Sequence, residues 1–307
     1  MIITTKTING KIVAFESGFI TESENFVLSQ IDNTAEKIAD SLDEKPIILI
    51  AGPSGSSKTT TAMKLSSAIK KHGANVCYIS MDKYFKNFTQ HERELKRQGK
   101  IDLESPDRVD IDYLNNDIDT LINGGEIDIP KYDFPTNTRT LSGDKLSRNG
   151  GFVIIEGIHA LNDKLMSKNE GCASRIYVSV RTRVVDSNGD KLHPCKIRMM
   201  RRMIRDKLYR GRDIEETIKM FPNVQHGENK YIMPFKDSAD FSIDTFIKYE
   251  PNVYKHILFD ELEQLAPKYA DVRDIVNALD EVDAIVPDKI PSDAMIREFI
   301  GGSSLHY

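Results

Sequence analysis

The stretch AGPSGSSKTT, residues 51–60, has residue types and a spacing that can hold phosphate groups. It nearly matches the phosphate-binding loop pattern G-x-x-x-x-G-K-[ST], which Gly52 opens and Lys58 and Thr59 close. Glycines let such a loop turn sharply, the lysine supplies a mobile cation, and the following hydroxyl can ligate Mg²⁺. An ordinary turn rich in glycine and serine is the alternative interpretation.

Ser57 stands where this pattern has its last glycine. A serine is tolerable there if its φ angle is negative, as we expect at the start of a helix. Its side chain would still crowd the region of a β-phosphate, which could weaken the binding of ATP. The loop residues expected to bind the nucleotide are Gly52, Pro53, Ser54, Gly55, Ser56, Ser57, Lys58, Thr59 and Thr60.

Two acidic residues follow apolar runs that are typical of buried strands. Asp82 comes after VCYIS, and Glu156 ends FVIIE. Ligands of open parallel sheets bind beyond the carboxyl ends of the strands, so both carboxylates would lie near the phosphate loop. Asp82 could accept a proton from an attacking hydroxyl, and Glu156 could hold Mg²⁺ beside Thr59. The alternatives are a helix cap or loop salt bridge for Asp82 and an exposed strand-end charge for Glu156.

The segment 196–212, KIRMMRRMIRDKLYRGR, is dense in arginine. Three arginines share one helix face at i, i+4 and i+7, and two more flank Gly211, where we expect the helix to end. These five are Arg198, Arg202, Arg205, Arg210 and Arg212. The segment could be a solvated face, a nucleic-acid patch, or a lid whose arginines close over phosphates. The net charge of −5 argues against nucleic acid.

The elements that would position these residues alternate between strand and helix. Helices are expected at 58–71 and 113–123, and the chain after Tyr249 has mostly helical patterns. Strands are expected at 47–51, 76–80, 126–130, 151–157, 175–180 and 239–244. This alternation predicts an α/β fold with a doubly wound, mainly parallel sheet.

Residues 1–45 are expected to form a small N-terminal appendage to a main domain of residues 46–307. Asn9 and Gly10 between β-rich flanks predict a hairpin. Apolar residues at i, i+4, i+7 and i+11 from Ile31 predict a helix after it.

Length and composition suit a globular protein with a real core: 307 residues, 39% hydrophobic and 29% charged. The three cysteines lack C-x-x-C spacing, which argues against a zinc site or a disulfide framework and favours a reducing compartment. No signal peptide or apolar run of membrane-spanning length is apparent. We therefore expect a cytoplasmic protein.

In combination, the motifs resemble the uridine kinase/phosphoribulokinase family of P-loop kinases, and especially its bacterial uridine-kinase-like nucleoside kinases. The matching stretches, in order, are GPSGSSKTT, SMDKYF, DLESPDRVD, IPKYDF, IIEGIHALN, RRMIRDKLYRGR, HGENKYIMPF and IREFIGGS. The resemblance implies a P-loop NTPase-type kinase core with an Arg-rich lid. It implies transfer of the γ-phosphate of ATP, with Mg²⁺, to the 5′-hydroxyl of a small-molecule nucleoside, uridine or cytidine. No nucleic acid or membrane partner is expected, and self-association into a homo-oligomer stays open.

The same resemblance gives roles to the matched positions. Thr59 and Glu156 would serve Mg²⁺, and Arg202 would join the nucleotide-binding residues. The expected catalytic residues are Asp82 as the base, Lys58 and Arg205. The expected substrate-binding residues are Asp82, Tyr84, Glu104, Tyr132, Arg205, Arg210 and Arg212.

Three positions depart from the family pattern and keep two alternatives open. Asn137 and Met220 stand where uridine-cytidine kinases have a base-reading histidine and a base-contacting glutamine. These two favour a kinase of another hydroxylated metabolite, such as a sugar phosphate. Ser57, together with the short region before residue 46, favours a catalytically weak nucleotide-binding regulatory protein.

Overall fold

The computed structural model describes residues 1–98, 100–163 and 171–305. The helices are α1 (Thr5–Ala39), α2 (Lys58–Lys71), α3 (Gln90–Arg97), α4 (Ile111–Ile122), α5 (Pro194–Tyr209), α6 (Ile214–Tyr231), α7 (Glu250–Leu265), α8 (Arg273–Glu281) and α9 (Arg297–Ile300). The strands are β1 (Ile2–Thr4), β2 (Ile47–Ala51), β3 (Val76–Ser80), β4 (Glu126–Asp133), β5 (Thr138–Ser147), β6 (Phe152–Glu156), β7 (Ala173–Ser179), β8 (Arg183–Val185), β9 (Lys191–Leu192) and β10 (Phe241–Asp244).

Five strands form a parallel sheet in the order β10-β7-β2-β6-β3. Side chains of a strand alternate between the two faces of its sheet. Ile48 and Ile50 of β2 therefore join the core on one face, and Ile47 and Leu49 join the core on the other. Burial on both faces explains the continuous apolar runs in the sequence. The predicted α/β fold with a mainly parallel sheet is confirmed.

The predicted strand at 126–130 does not belong to this sheet. It is the first part of β4, which pairs with β5 in a separate antiparallel hairpin. The second strand of this hairpin was not predicted, because most of its side chains are exposed and leave no buried-strand pattern. Among the described residues, no helix is both long and apolar enough to cross a membrane.

The hairpin predicted at Asn9 and Gly10 is wrong, because both residues lie inside α1. The Asn9 side-chain amide donates to the carbonyl of Glu281 at 2.7 Å, and its oxygen accepts from the amide of Asp283 at 3.0 Å. These contacts with the end of α8 outweigh the local turn preference. The helix expected from Ile31 is confirmed as the last part of α1, which bends at Phe15 and packs into the main core. The domain division after residue 45 stays a prediction.

Candidate functional site

The carboxyl ends of three neighbouring strands open into one cavity of about 1200 Å³. The loop after β2 brings Lys58 to its wall, a short turn after β3 brings Asp82, and the end of β6 brings Glu156. The strands β2, β6 and β3 are adjacent, so residues distant in sequence meet at one edge. The structure brings these three residues to one cavity, as expected from the sequence, and their roles stay predictions.

The loop between β2 and α2 approaches the sheet closely. A Cβ atom at Gly52 would lie 1.9 Å from the backbone oxygen of Val178 in β7, so only glycine fits there. Gly55 has a φ angle of +76°, a left-handed conformation that glycine adopts without steric cost. Residues 54–59 of this loop all line the cavity.

The remaining loop residues lie behind the cavity wall. The carbonyl oxygen of Pro53 accepts from the Lys58 ammonium at 3.3 Å and holds it over the loop. Thr60 is fully buried, and its hydroxyl donates to Glu298 near the C-terminus. Neither Pro53 nor Thr60 lines the cavity. These two residues could therefore contact a ligand only through backbone atoms or after a movement of the loop.

Ser57 does not have the negative φ angle expected from the sequence. Its φ and ψ angles are +63° and +34°, in the left-handed region, and this part of the expectation is wrong. The conformation costs an L-residue roughly 1–2 kcal/mol, so tertiary contacts must hold it. The Ser57 hydroxyl accepts from the Arg201 guanidinium at 3.3 Å, and its side chain does not cap α2. An anion in the cavity can take the capping role at this helix start.

Arg201 is a component of the site that the sequence reasoning missed. Its guanidinium is 1% exposed, donates to the carbonyl of Gly55 at 3.0 Å, and pairs with both oxygens of Glu250 at 2.8 and 2.9 Å. Burial alone would lower the pKa of Arg201, but the Glu250 carboxylate raises it above the usual value. The helical spacing of Arg201 from Arg198 and Arg205 could have signalled it, whereas its partner in α7 left no local signal.

Glu156 and Thr59 form a site with the chemistry that Mg²⁺ prefers. The Glu156 carboxylate is 5% exposed and accepts from the hydroxyls of Tyr78 and Ser80 at 2.9 Å each and from Thr59 at 3.5 Å. Burial raises the pKa of Glu156. The charge of Lys58 opposes this shift, and the charge of Asp82 raises the pKa further. Mg²⁺ commonly takes one or two protein oxygens and completes its shell with phosphate and water, so this pair fits the ion.

Asp82 lines the same cavity and is exposed. Desolvation by the surrounding cleft raises the pKa of Asp82. The charges of Lys58, Arg210 and Arg205 act against that shift. A carboxylate with a raised pKa beside cations is suited to accept a proton from a bound hydroxyl.

The arginine helix α5 is part of the core. Its methionines and isoleucines are buried in one core together with residues of β2 and α2. Arg198 faces the loop, donates to the carbonyl of Ser54 at 3.0 Å and pairs with Glu228 at 2.5 and 2.8 Å. Arg202 is 5% exposed and donates to the Ser54 hydroxyl. The apolar face of this helix is packed into the core. A closing movement of the helix over a ligand stays a prediction.

The end of α5 and the residues just after it present three arginines to the cavity, around one buried carboxylate that the sequence reasoning also missed. Asp206 is 1% exposed, and four guanidiniums lie within 3.3 to 3.7 Å of its oxygens. These belong to Arg202, Arg205, Arg210 and Arg212. The last three line the cavity. The helix ends at Tyr209, and Gly211 has a φ angle of +63°, as expected for a chain reversal there.

The predicted acceptor-binding residues outside the arginine segment differ in how close they lie to the cavity. The ring of Tyr132 packs edge-on against Phe85 and Phe134, at centroid distances of 5.6 and 5.2 Å, and Phe134 lines the cavity. Glu104 is half-buried and lies outside the cavity lining, against α6. Tyr84 is fully buried and donates to Asp117 at 2.7 Å, so its side chain does not reach the cavity.

Comparison with known proteins places the chain in a family. The model of the phosphoribulokinase / uridine kinase family matches residues 47–250. The uridine kinase of Lactobacillus helveticus (strain DPC 4571) is 31% identical over 202 residues, which is 65% of this chain and 87% of that protein. The uridine kinase of Staphylococcus haemolyticus (strain JCSC1435) is 31% identical over 199 residues, 64% of this chain and 86% of that protein.

Among solved structures, that of a possible uridine kinase from Bacillus stearothermophilus is 18% identical, with a TM-score of 0.45. The alignment covers 70% of this chain and 98% of that one. The family match spans the phosphate loop, Asp82, Glu156 and the arginine helix. The chain belongs to the phosphoribulokinase / uridine kinase family.

Proposed function

We propose that this protein is an ATP-dependent nucleoside kinase that phosphorylates the 5′-hydroxyl of uridine or cytidine. The convergence of Lys58, Asp82 and Glu156 on one cavity, beside the phosphate loop, is the observation that carries the proposal. Relatives named uridine kinase support the choice of acceptor. A cytoplasmic location and a small-molecule partner are part of the same proposal.

In this proposal the donor triphosphate lies along residues 54–59. The start of α2 and the Lys58 ammonium hold its phosphates, because both are positive and face the cavity. Thr59 and Glu156 would hold Mg²⁺, which when bound neutralises charge on the β- and γ-phosphates. The arginines at the end of α5 stabilise the charge that develops on the transferred group.

The acceptor nucleoside lies toward the aromatic residues Phe85, Tyr132 and Phe134, which offer flat apolar surface to a base. Its 5′-oxygen attacks the γ-phosphorus, the bond to the β–γ bridging oxygen breaks, and ADP leaves. Asp82 orients the hydroxyl and accepts its proton. The reaction therefore needs the Asp82 carboxylate in its charged form.

The test is a panel of acceptors, each with ATP and Mg²⁺, followed by coupled detection of ADP. The panel holds uridine, cytidine, purine nucleosides and ribulose 5-phosphate. We expect ADP with the pyrimidine nucleosides, and a kcat lower by roughly 10²–10⁴-fold in Asp82→Asn with ATP binding kept. Unchanged turnover in this variant would remove Asp82 from the mechanism.

One observation favours a second candidate, a kinase whose acceptor already carries a phosphate. Three arginines line the cavity, Arg205, Arg210 and Arg212, which is more positive charge than a neutral nucleoside requires. ADP formed only with ribulose 5-phosphate would establish this alternative. Binding of ATP with no turnover on any acceptor would instead favour the regulatory role considered from the sequence.

A further inference from the structure

The cavity has one wall that the proposed reaction does not use. This wall is the C-terminal strap, defined here as residues 297–305, and Glu298, Gly302, Ser303 and Leu305 of the strap line the cavity. The cavity volume of about 1200 Å³ exceeds the usual range of a site for one small ligand, which leaves room for two substrates.

The strap is a fixed part of the wall. Phe299 is fully buried, and the guanidinium of Arg201 lies over its ring at 5.0 Å. Arg297 donates to the carbonyls of Pro287 and Gly301 at 2.9 and 3.1 Å and so pins the turn at the end of α9. Because these bonds join it to the core, the strap can serve as a preformed surface for a ligand.

The direction of the donor follows from the position of the acceptor. The γ-phosphate must face Asp82 for transfer, so the nucleoside end of the donor must extend away from Asp82. The strap borders the cavity beside the start of the loop helix, which it joins through the bond from Thr60 to Glu298. The exposed ring of Tyr209 completes this end of the cavity, and its hydroxyl lies against Gly301.

Glu298 has the wrong charge for phosphate and the right chemistry for ribose. A carboxylate beside phosphate oxygens is repulsive, whereas it accepts hydrogen bonds from the two hydroxyls of a ribose. One Glu298 oxygen accepts from Thr60, which aims the side chain along the cavity wall. Leu305 and Tyr209 line the same cavity and offer the apolar surface that a base requires.

We propose that the C-terminal strap forms the nucleoside end of the phosphate-donor site, with Glu298 accepting from the ribose hydroxyls and the base lying against Tyr209 and Leu305. This proposal rests on the proposed kinase function and specifies its donor. It predicts that the enzyme distinguishes a ribonucleotide donor from a dideoxyribonucleotide. The residues responsible would lie outside the phosphate loop.

The test compares the dissociation constants of ATP, 2′,3′-dideoxy-ATP and inorganic triphosphate, measured by calorimetry on the full chain. We expect the wild-type protein to bind ATP roughly 10- to 100-fold more tightly than the dideoxy analogue, the size of charge-assisted hydrogen bonding. Glu298→Ala should bring this ratio to within about threefold of one, and its affinity for inorganic triphosphate should stay equal or rise.

Two further variants separate ribose binding from a structural role. Glu298→Gln keeps an acceptor for Thr60 but loses the charge, so its ratio should fall between those of the wild-type protein and Glu298→Ala. Glu263→Ala removes an exposed carboxylate of α7 that is not among the cavity-lining residues. This control variant should keep the wild-type ratio.

Three results would overturn the proposal: a wild-type ratio near one, an undiminished ratio in Glu298→Ala, or an equal loss of triphosphate and ATP affinity in that variant. The last would show that Glu298 only supports the loop. The acceptor panel tests the proposed function separately, since the donor ratio does not depend on which acceptor is used.

Discussion

Arg201 and Glu250 should behave as one energetic unit that supports the phosphate loop. Both side chains are almost completely buried, and two hydrogen bonds of 2.8 and 2.9 Å join them. Arg201→Met would leave the Glu250 charge buried with two remaining donors, the Tyr254 hydroxyl at 2.9 Å and the Ile247 amide at 3.0 Å. Breaking a buried ion pair from one side costs about 3–5 kcal/mol.

Glu250→Gln should cost a similar amount, because it leaves the Arg201 guanidinium without its counter-charge. The double variant loses both charges at once, so its destabilisation should equal about one single change and not their sum. The expected coupling energy is therefore at least about 2 kcal/mol. Urea unfolding of the two single variants and the double variant measures this coupling as a double-mutant cycle.

The exposed pair of Lys207 and Glu261, 2.6 Å apart, provides the matched control. Its cycle, with Lys207→Met and Glu261→Gln, should give a coupling of at most about 1 kcal/mol because solvent screens the charges. If Arg201 and Glu250 gave additive changes, within about 0.5 kcal/mol, the two residues would be independent and our account of the loop support would fail.

Three further predictions concern single residues. Glu156→Gln should abolish most turnover, and its melting temperature without ligand should exceed that of the wild-type protein by an amount that grows from about pH 4 upward. The reason is that burial raises the pKa of Glu156, so its charged form costs stability as the pH rises; a pH-independent difference would contradict this. Asp206→Asn should lower stability by roughly 3–5 kcal/mol in urea unfolding and raise the KM for ATP, since four guanidiniums lose their shared counter-charge; an unchanged KM would speak against its positioning role. Ser57→Gly should change stability by less than about 1 kcal/mol, because relief of the left-handed conformation offsets the greater backbone entropy of glycine; a large loss in urea unfolding would show that the hydroxyl matters more.

The local elements of the core could be predicted because the sequence encodes them locally. The apolar run 47–51 and the helix 58–71 appear with the expected bounds, since a strand buried on both faces must be apolar throughout. The prediction of an N-terminal hairpin was wrong because the Asn9 side chain forms hydrogen bonds with partners more than 270 residues away. Turn propensity is a local preference, and long-range contacts of this kind override it.

The candidate site likewise has features that the sequence encodes locally and features that depend on the tertiary fold. The sequence alone determined that a strand, a phosphate loop and a helix follow one another, and that acidic residues end two further strands. Strand adjacency then brought Lys58, Asp82 and Glu156 to one cavity. The type and order of the elements follow from residue type and periodicity, which act over a few residues, whereas the adjacency of the strands is set by the tertiary fold.

Only the tertiary structure decided how the charges are shared. Every arginine of α5 looks alike in the sequence, yet Arg201 is bonded inside the core to a carboxylate 49 positions away, and Arg205 faces the cavity. The left-handed backbone of Ser57 likewise depends on contacts from α5. The physical reason is that burial and the choice of ion-pair partner depend on which chain segments pack together, and no local pattern of residues specifies that packing.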